Sequence, residues 1–116
     1  MGKLGLKEVN SVISYIGGSG GYLRGFSYAT HAQFYPEYCN LDIDPTEYGS
    51  TTRKRFIKIL TDSAPLDQAK ILSGVLNKFP LTEFEELSND GIISKYEYEA
   101  KIRLHEKIVE WMDGRT

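Results

Sequence analysis

Three segments of this chain carry the same helix-start signature, a hydroxyl residue followed three positions later by Glu or Gln: Thr30-His-Ala-Gln33, Thr82-Glu-Phe-Glu85 and Ser94-Lys-Tyr-Glu97. In such a capping box the hydroxyl oxygen accepts from a backbone N–H of the first turn, and the later side chain reaches back to the cap's own amide. Stop signals alternate with the starts: Gly17-Gly18, Gly49, Pro80 and Gly114. No stretch alternates apolar and polar residues convincingly, so a chain punctuated this way folds from helices.

Apolar spacing fills in the elements. Val9, Val12, Ile13 and Ile16 recur at helical spacing, which predicts an amphipathic helix over 6–16 that a glycine with positive φ would close. The box at Thr30 predicts a short helix carrying Phe34, Tyr35 and Tyr38, disturbed at Pro36. In "DPTEYG", Asp44 caps, Pro45 takes the first helical position, and Gly49 stops the chain after one turn. A helix from Ser50 or Thr51 to about Thr61 buries Phe56, Ile57 and Leu60. Pro65 opens the next, with Leu66, Ala69, Leu72, Val75, Leu76 and Phe79 along one side. The box at Thr82 opens a short element closed by "SNDG", and Ser94 starts the longest helix. Its inward face is read as Ile93, Tyr96, Ala100, Leu104, Ile108 and Trp111. The expectation is a mainly α fold: one helical domain over residues 1–116, a bundle of five to seven helices. "GYLRGFSYA" leaves room for a small β-hairpin near residues 20–28.

Composition narrows the function classes. A net charge of −2 argues against a general nucleic-acid binder, which carries a basic excess. The single cysteine, Cys39, excludes an internal disulfide and fits a reducing compartment. The opening "MGKLGLKEVN" has no apolar core of a signal peptide, and no run approaches the ~20 apolar residues of a membrane span. A cytoplasmic protein without membrane partners is expected.

"YIGGSGGYLRGF", residues 15–26, spends five of the chain's eleven glycines. A phosphate-binding P-loop needs a lysine directly after its second glycine; with Gly20 and Gly25 in those roles, Phe26 stands there instead. The dinucleotide pattern G-x-G-x-x-G fails at Leu23. Both motifs follow a strand, whereas this stretch follows a helix. A helix cap plus tight turn is the reading, with a backbone nest for an anion as the alternative.

Half of the aromatic residues lie between positions 22 and 48: Tyr22, Phe26, Tyr28, Phe34, Tyr35, Tyr38 and Tyr48. Tyrosine packs its ring and wets its hydroxyl, so such a cluster serves either a core with partly exposed rims or a recognition surface. "RKRFIK" sets Arg53, Lys54, Arg55 and Lys58 on the outside of one helix, while residues 83–99 hold six acids and one lysine. The candidate interaction surface is therefore Tyr22, Arg24, Tyr28, His31, Tyr35, Tyr38, Arg53, Lys54, Arg55 and Lys58. A nucleic-acid module using the basic helix over 51–61 on phosphates, with tyrosines stacking on bases, is the second reading.

Catalytic candidates are sparse. His31 and His105 are the only histidines, with no metal-ligand spacing to each other or to Cys39. His31, Glu37 and Cys39 could be drawn as a base, orienter and thiol, yet all three share one short aromatic segment. Asp42 and Asp44 are acidic, with Asp44 better explained as a cap, and His105 among Ile102, Val109 and Met112 reads as a packing residue. No catalytic, metal or cofactor site is assigned.

The run "ISYIGGSGGYLRGFSYATHAQFYPEYCNLDID", followed by "GSTTRKRFIKIL" and "AKILSGVLNKF", resembles an N-terminal domain of bacterial abortive-infection proteins of the AbiJ type. The glycine-aromatic run, the Asp-rich turn and the basic-aliphatic helix together cover most of the chain. The resemblance implies a regulatory or sensing module of phage defence, with the lethal chemistry in a separate C-terminal effector, often a HEPN-type ribonuclease. That effector's R-x-x-x-x-H motif is absent here, since Arg24 precedes His31 by seven positions and Arg103 precedes His105 by two. The implied partner is an effector domain, a second copy, or a phage product, and no catalytic residue carries over.

Overall fold

The computed structural model describes residues 3–18 and 21–114. Its α-helices are α1 (Leu6–Ile16), α2 (Tyr28–Phe34), α3 (Thr52–Asp62), α4 (Pro65–Lys78), α5 (Leu81–Asn89) and α6 (Lys95–Asp113). A π-helical turn, Tyr35–Cys39, continues α2, and a 3₁₀ turn, Pro45–Tyr48, precedes α3. The fold is a mainly α bundle.

Local chemistry explains most boundaries. Gly17, at φ +97°, closes α1 by donating its amide to the Ile13 carbonyl at 2.8 Å. Asp44, Thr51 and Ser94 cap their helices through side-chain oxygens that accept from Thr46, Lys54 and Glu97 amides. Pro36 offers no N–H to the helical ladder and lies in the first positions of the π turn, which ends on Asn40 in the left-handed region at φ +55°.

Two expected starts move. The second helix begins at Tyr28, not after Thr30, because Ser27 and Thr30 form a reciprocal box one turn earlier. The Thr30 amide donates to Ser27 Oγ at 3.1 Å, and the Ser27 amide donates to Thr30 Oγ1 at 2.7 Å. The fifth begins at Leu81, directly after extended Pro80, so Thr82 lies inside the helix and caps nothing. The hairpin expected near residues 20–28 does not form among the described residues. Leu23 and Phe26, three positions apart, both enter the core, a turn spacing that alternating strand residues cannot provide.

One hydrophobic core joins every α-helix. Helix α1 packs against both α3 and α6, α4 against the π turn and α6, and α5 against α6. Phe34, Tyr35, Phe56, Leu60, Ile71, Leu72 and Val75 are sealed at its centre, where a side chain the size of Phe56 contributes about 2–3 kcal/mol. The α4 backbone approaches the π turn so closely at Gly74 that an added Cβ would lie 2.5 Å from Cys39 Sγ and 3.1 Å from the Tyr38 carbonyl oxygen. Ile59 and Ile71 join the core beyond the residues expected, whereas Leu66 and Tyr96, expected inside, are exposed.

Long-range polar ties fix the helix ends. Buried Gln68 accepts from the Leu4 amide at 2.9 Å and donates to the Leu60 carbonyl at 2.8 Å. Tyr15 donates its hydroxyl to the Phe79 carbonyl, closing the end of α4. Lys101, 7% exposed, donates to the Ser14 and Tyr15 carbonyls at 2.7 and 2.9 Å, so a residue of α6 caps α1. Among the described residues no helix is long and apolar enough to cross a membrane.

Candidate functional site

The ten residues singled out in the sequence separate into four places. His31 and Tyr35 are fully buried and belong to the core rather than to a surface. Their side chains meet through His31 Nε2 and the Tyr35 hydroxyl at 2.7 Å, in a cage that includes Phe26 and Phe56. The α2 face carrying positions 31 and 35 is the one turned to the core, so their polar tips pair with each other. Arg24 turns toward α5, where it pairs with Glu83 at 3.4 Å and lies over the rings of Phe84 and Phe79. Tyr38 stacks on Phe34, under the Lys78 ammonium.

Tyr22, Tyr28, Arg53, Lys54 and Arg55 remain together. Gly21 and Thr51 set their arrangement: the Gly21 carbonyl accepts from the Arg53 amide at 3.2 Å, and a Cβ on Gly21 would sit 2.8 Å from Thr51 Cγ2. This contact docks the loop before α2 against the N-terminus of α3. Between them lies an open cleft of about 460 Å³, with Tyr22 and Tyr28 at its walls and Phe26, Thr51 and Thr52 within it. Tyr22 and Tyr28 are 56% and 59% exposed. Tyr28 is held in place, because its hydroxyl donates to the Ser50 carbonyl and the Arg55 guanidinium lies 4.7 Å above its ring. Arg55 is fixed in turn by donating from Nε to the Gly49 carbonyl at 2.8 Å. Lys58, one turn further along α3, pairs with Asp62 on its own helix at 3.0 Å. Among the described residues Arg53, Lys54 and Arg55 make no ion pair. The arrangement presents one fixed aromatic face, Tyr28, beside exposed Tyr22, and three cations without an ion pair, of which Arg55 has Asp44 within reach of its charge.

The catalytic trio suggested by His31, Glu37 and Cys39 is not assembled. His31 and Cys39 are buried while Glu37 is exposed. Burial pushes the Cys39 thiol up to about 12 and, together with the charge of Arg55, holds the His31 imidazole down to about 4. A protonated thiol and a neutral, enclosed imidazole are poor partners for nucleophilic chemistry. His105 is half-buried with its ring 6.0 Å from that of Tyr15. Among the described residues no group of His, Cys, Asp and Glu side chains is gathered as a metal site.

The glycine stretch builds a turn at its described ends. Gly17 and Gly18 both have positive φ, and the Gly17 carbonyl accepts from the Arg24 amide at 3.0 Å. The Gly17 amide is taken by the Ile13 carbonyl, so the Gly17 and Arg24 amides are both spent inside the turn. Ser19 and Gly20, the latter placed as the first glycine in the P-loop comparison, lie outside the described residues.

Sequence reasoning passed over Gly21, Thr51 and Thr52 as parts of the cleft, although Thr51 was legible as a helix cap. It also missed Lys101. The spacing back from Ile108 and Leu104 by seven and three positions meets at Lys101, which places it on the buried stripe. Comparison with family models, curated proteins and solved structures yields no match to this chain.

Proposed function

We propose that this chain is a non-catalytic recognition module whose docking face is the cleft between the loop before α2 and the start of α3. The supporting observation is the grouping of exposed Tyr22 and pre-positioned Tyr28 with α3 cations that make no ion pair. A rigid aromatic anchor loses little side-chain entropy on binding, and basic side chains beside it steer an acidic partner. If the resemblance to abortive-infection proteins of the AbiJ type holds, this recognition serves phage defence in the cytoplasm, with an effector domain, a second copy or a phage product as the protein partner. A photoreactive phenylalanine at position 28, tested in bacterial cells against one at exposed position 106, checks the face. Adducts are expected from position 28 alone, and Tyr22→Ser with Lys54→Gln should lower the purified partner's affinity by about tenfold or more. Equal adducts from both positions would overturn the assignment.

A second reading uses the same cleft for single-stranded nucleic acid, with bases on Tyr22 and Tyr28 and phosphates on Arg53 and Lys54. Stacking of this kind contributes about 1–3 kcal/mol per base. A low-salt gel shift that weakens steeply with added salt would favour it, and no shift would remove it.

A further inference from the structure

Arg24 and Lys101 bring two cations to one ring. The Arg24 guanidinium lies 5.2 Å from the centre of Phe84, and the Lys101 ammonium lies 5.1 Å from it. Both residues line a cavity of about 270 Å³ between the turn after α1 and the paired helices α5 and α6. Neither cation is saturated among the described residues. The ammonium donates to the Ser14 and Tyr15 carbonyls and keeps a further N–H. The guanidinium makes a single long bond, to Glu83 at 3.4 Å, so most of its donors are unspent. Its planar fork matches the two oxygens of a carboxylate. Glu97, one turn before Lys101 on α6, is the acid of the same lining, and among the described residues it makes no ion pair. Burial holds the Lys101 ammonium below its ordinary range; Glu97 acts against that and Arg24 with it, so both neighbours lie within reach of its charge.

Much of the remaining lining is apolar. Ile16 and Phe84 are buried, Leu87 and Ile93 half-buried, and Ile92, 68% exposed, stands at the mouth. At about 30 Å³ per water the space equals roughly nine waters, the scale of one small molecule. We infer that this cavity binds a free α-amino acid with an apolar side chain. Its carboxylate meets Arg24 and Lys101, its ammonium meets Glu97, and its side chain enters among Ile16, Phe84 and Ile93. A plain carboxylate would bring a second anion to Glu97, and a plain amine a third cation to Arg24 and Lys101. The apolar walls supply burial and the charges fix orientation. This site stands apart from the Tyr22–Tyr28 cleft, since no residue lines both.

Amide NMR of the whole chain, with L-leucine, L-isoleucine or L-phenylalanine added in turn, tests this. At least one of them should give saturable shifts at Gly17, Gly18, Ile93 and Lys101, with a Kd below about 10 mM. Isocaproate and isoamylamine, which are leucine without its ammonium and without its carboxylate, should bind at least about tenfold more weakly than the amino acid. Arg24→Gln and Glu97→Gln should each lower the amino acid's affinity about tenfold or more. Glu97 is exposed, so its variant decides the matter should Arg24→Gln fail to fold. No saturable shift with any of the three up to about 10 mM would overturn the inference. Shifts confined to residues away from the cavity, an affinity unmoved in Glu97→Gln, or isocaproate binding as tightly as leucine would overturn it equally.

Discussion

His31 shows how one side chain sets the molecule's response to acid. Its ring is enclosed by Phe26, Phe34-bearing α2 and Phe56, and its Nδ1 has no hydrogen-bond partner among the described residues. A proton on this ring would have to sit in apolar surroundings near Arg55, so the imidazole stays neutral down to about pH 4. In the unfolded chain it takes a proton at the ordinary value of 6.5. Stability is therefore full above pH 6.5 and falls as the pH drops toward 4, because the unfolded state binds the extra proton. At about 1.4 kcal/mol per pKa unit, urea titrations at pH 7.5 and 4.5 should differ by roughly 2–3 kcal/mol from this residue. In His31→Phe that part of the difference should disappear. An unchanged pH dependence would show that another group controls it.

At the scale of the element, the turn after α1 separates two neighbouring glycines. A Cβ on Gly17 would lie no nearer than 3.5 Å to the Arg24 side chain, so Gly17→Ala meets mainly the strain of φ +97°, about 1 kcal/mol. On Gly18 the Cβ would lie 2.5 Å from the Tyr22 carbonyl oxygen and 3.0 Å from the Arg24 amide nitrogen, both backbone. Gly18→Ala should cost about 2 kcal/mol or more, read as a fall in melting temperature larger than that of Gly17→Ala. ATP should leave the wild-type melting temperature unchanged, and a nucleotide-dependent rise would revive the phosphate-loop reading. The ends of α1, α3, α4 and α6 were legible because a cap is local chemistry within four residues. Thr30 and Thr82 misled because a matching sequence pattern does not say where the preceding chain enters; Ser27 and Pro80 decide that. Tyr96 and Lys101 misled because hydrophobicity ranks a tyrosine above a lysine. A lysine stem can nevertheless cross a core when its ammonium finds carbonyls at the far side.

At the scale of the whole molecule, Gln68 joins three stretches: the segment before α1, the end of α3 and the body of α4. Gln68→Leu keeps the volume but strands the Leu4 amide and the Leu60 carbonyl without partners. At about 1–3 kcal/mol for each of the two stranded groups, the variant should lose roughly 2–6 kcal/mol in urea, with an unchanged m-value. A loss under about 0.5 kcal/mol would mean that water replaces both bonds. The recognition cleft was legible in its tyrosines and cations but not in its location. Its shape depends on Gly21 lying against Thr51, a contact between residues thirty positions apart that no local pattern encodes. The Lys101 bridge has a consequence for synthesis. The carbonyls at the end of α1 wait for a side chain 87 residues downstream of Ser14, an interval of roughly 4–17 s at ribosomal speeds. During that interval the apolar stripe of α1 is on offer to any chaperone or neighbouring nascent chain, and the bundle can close only after α6 has left the exit tunnel.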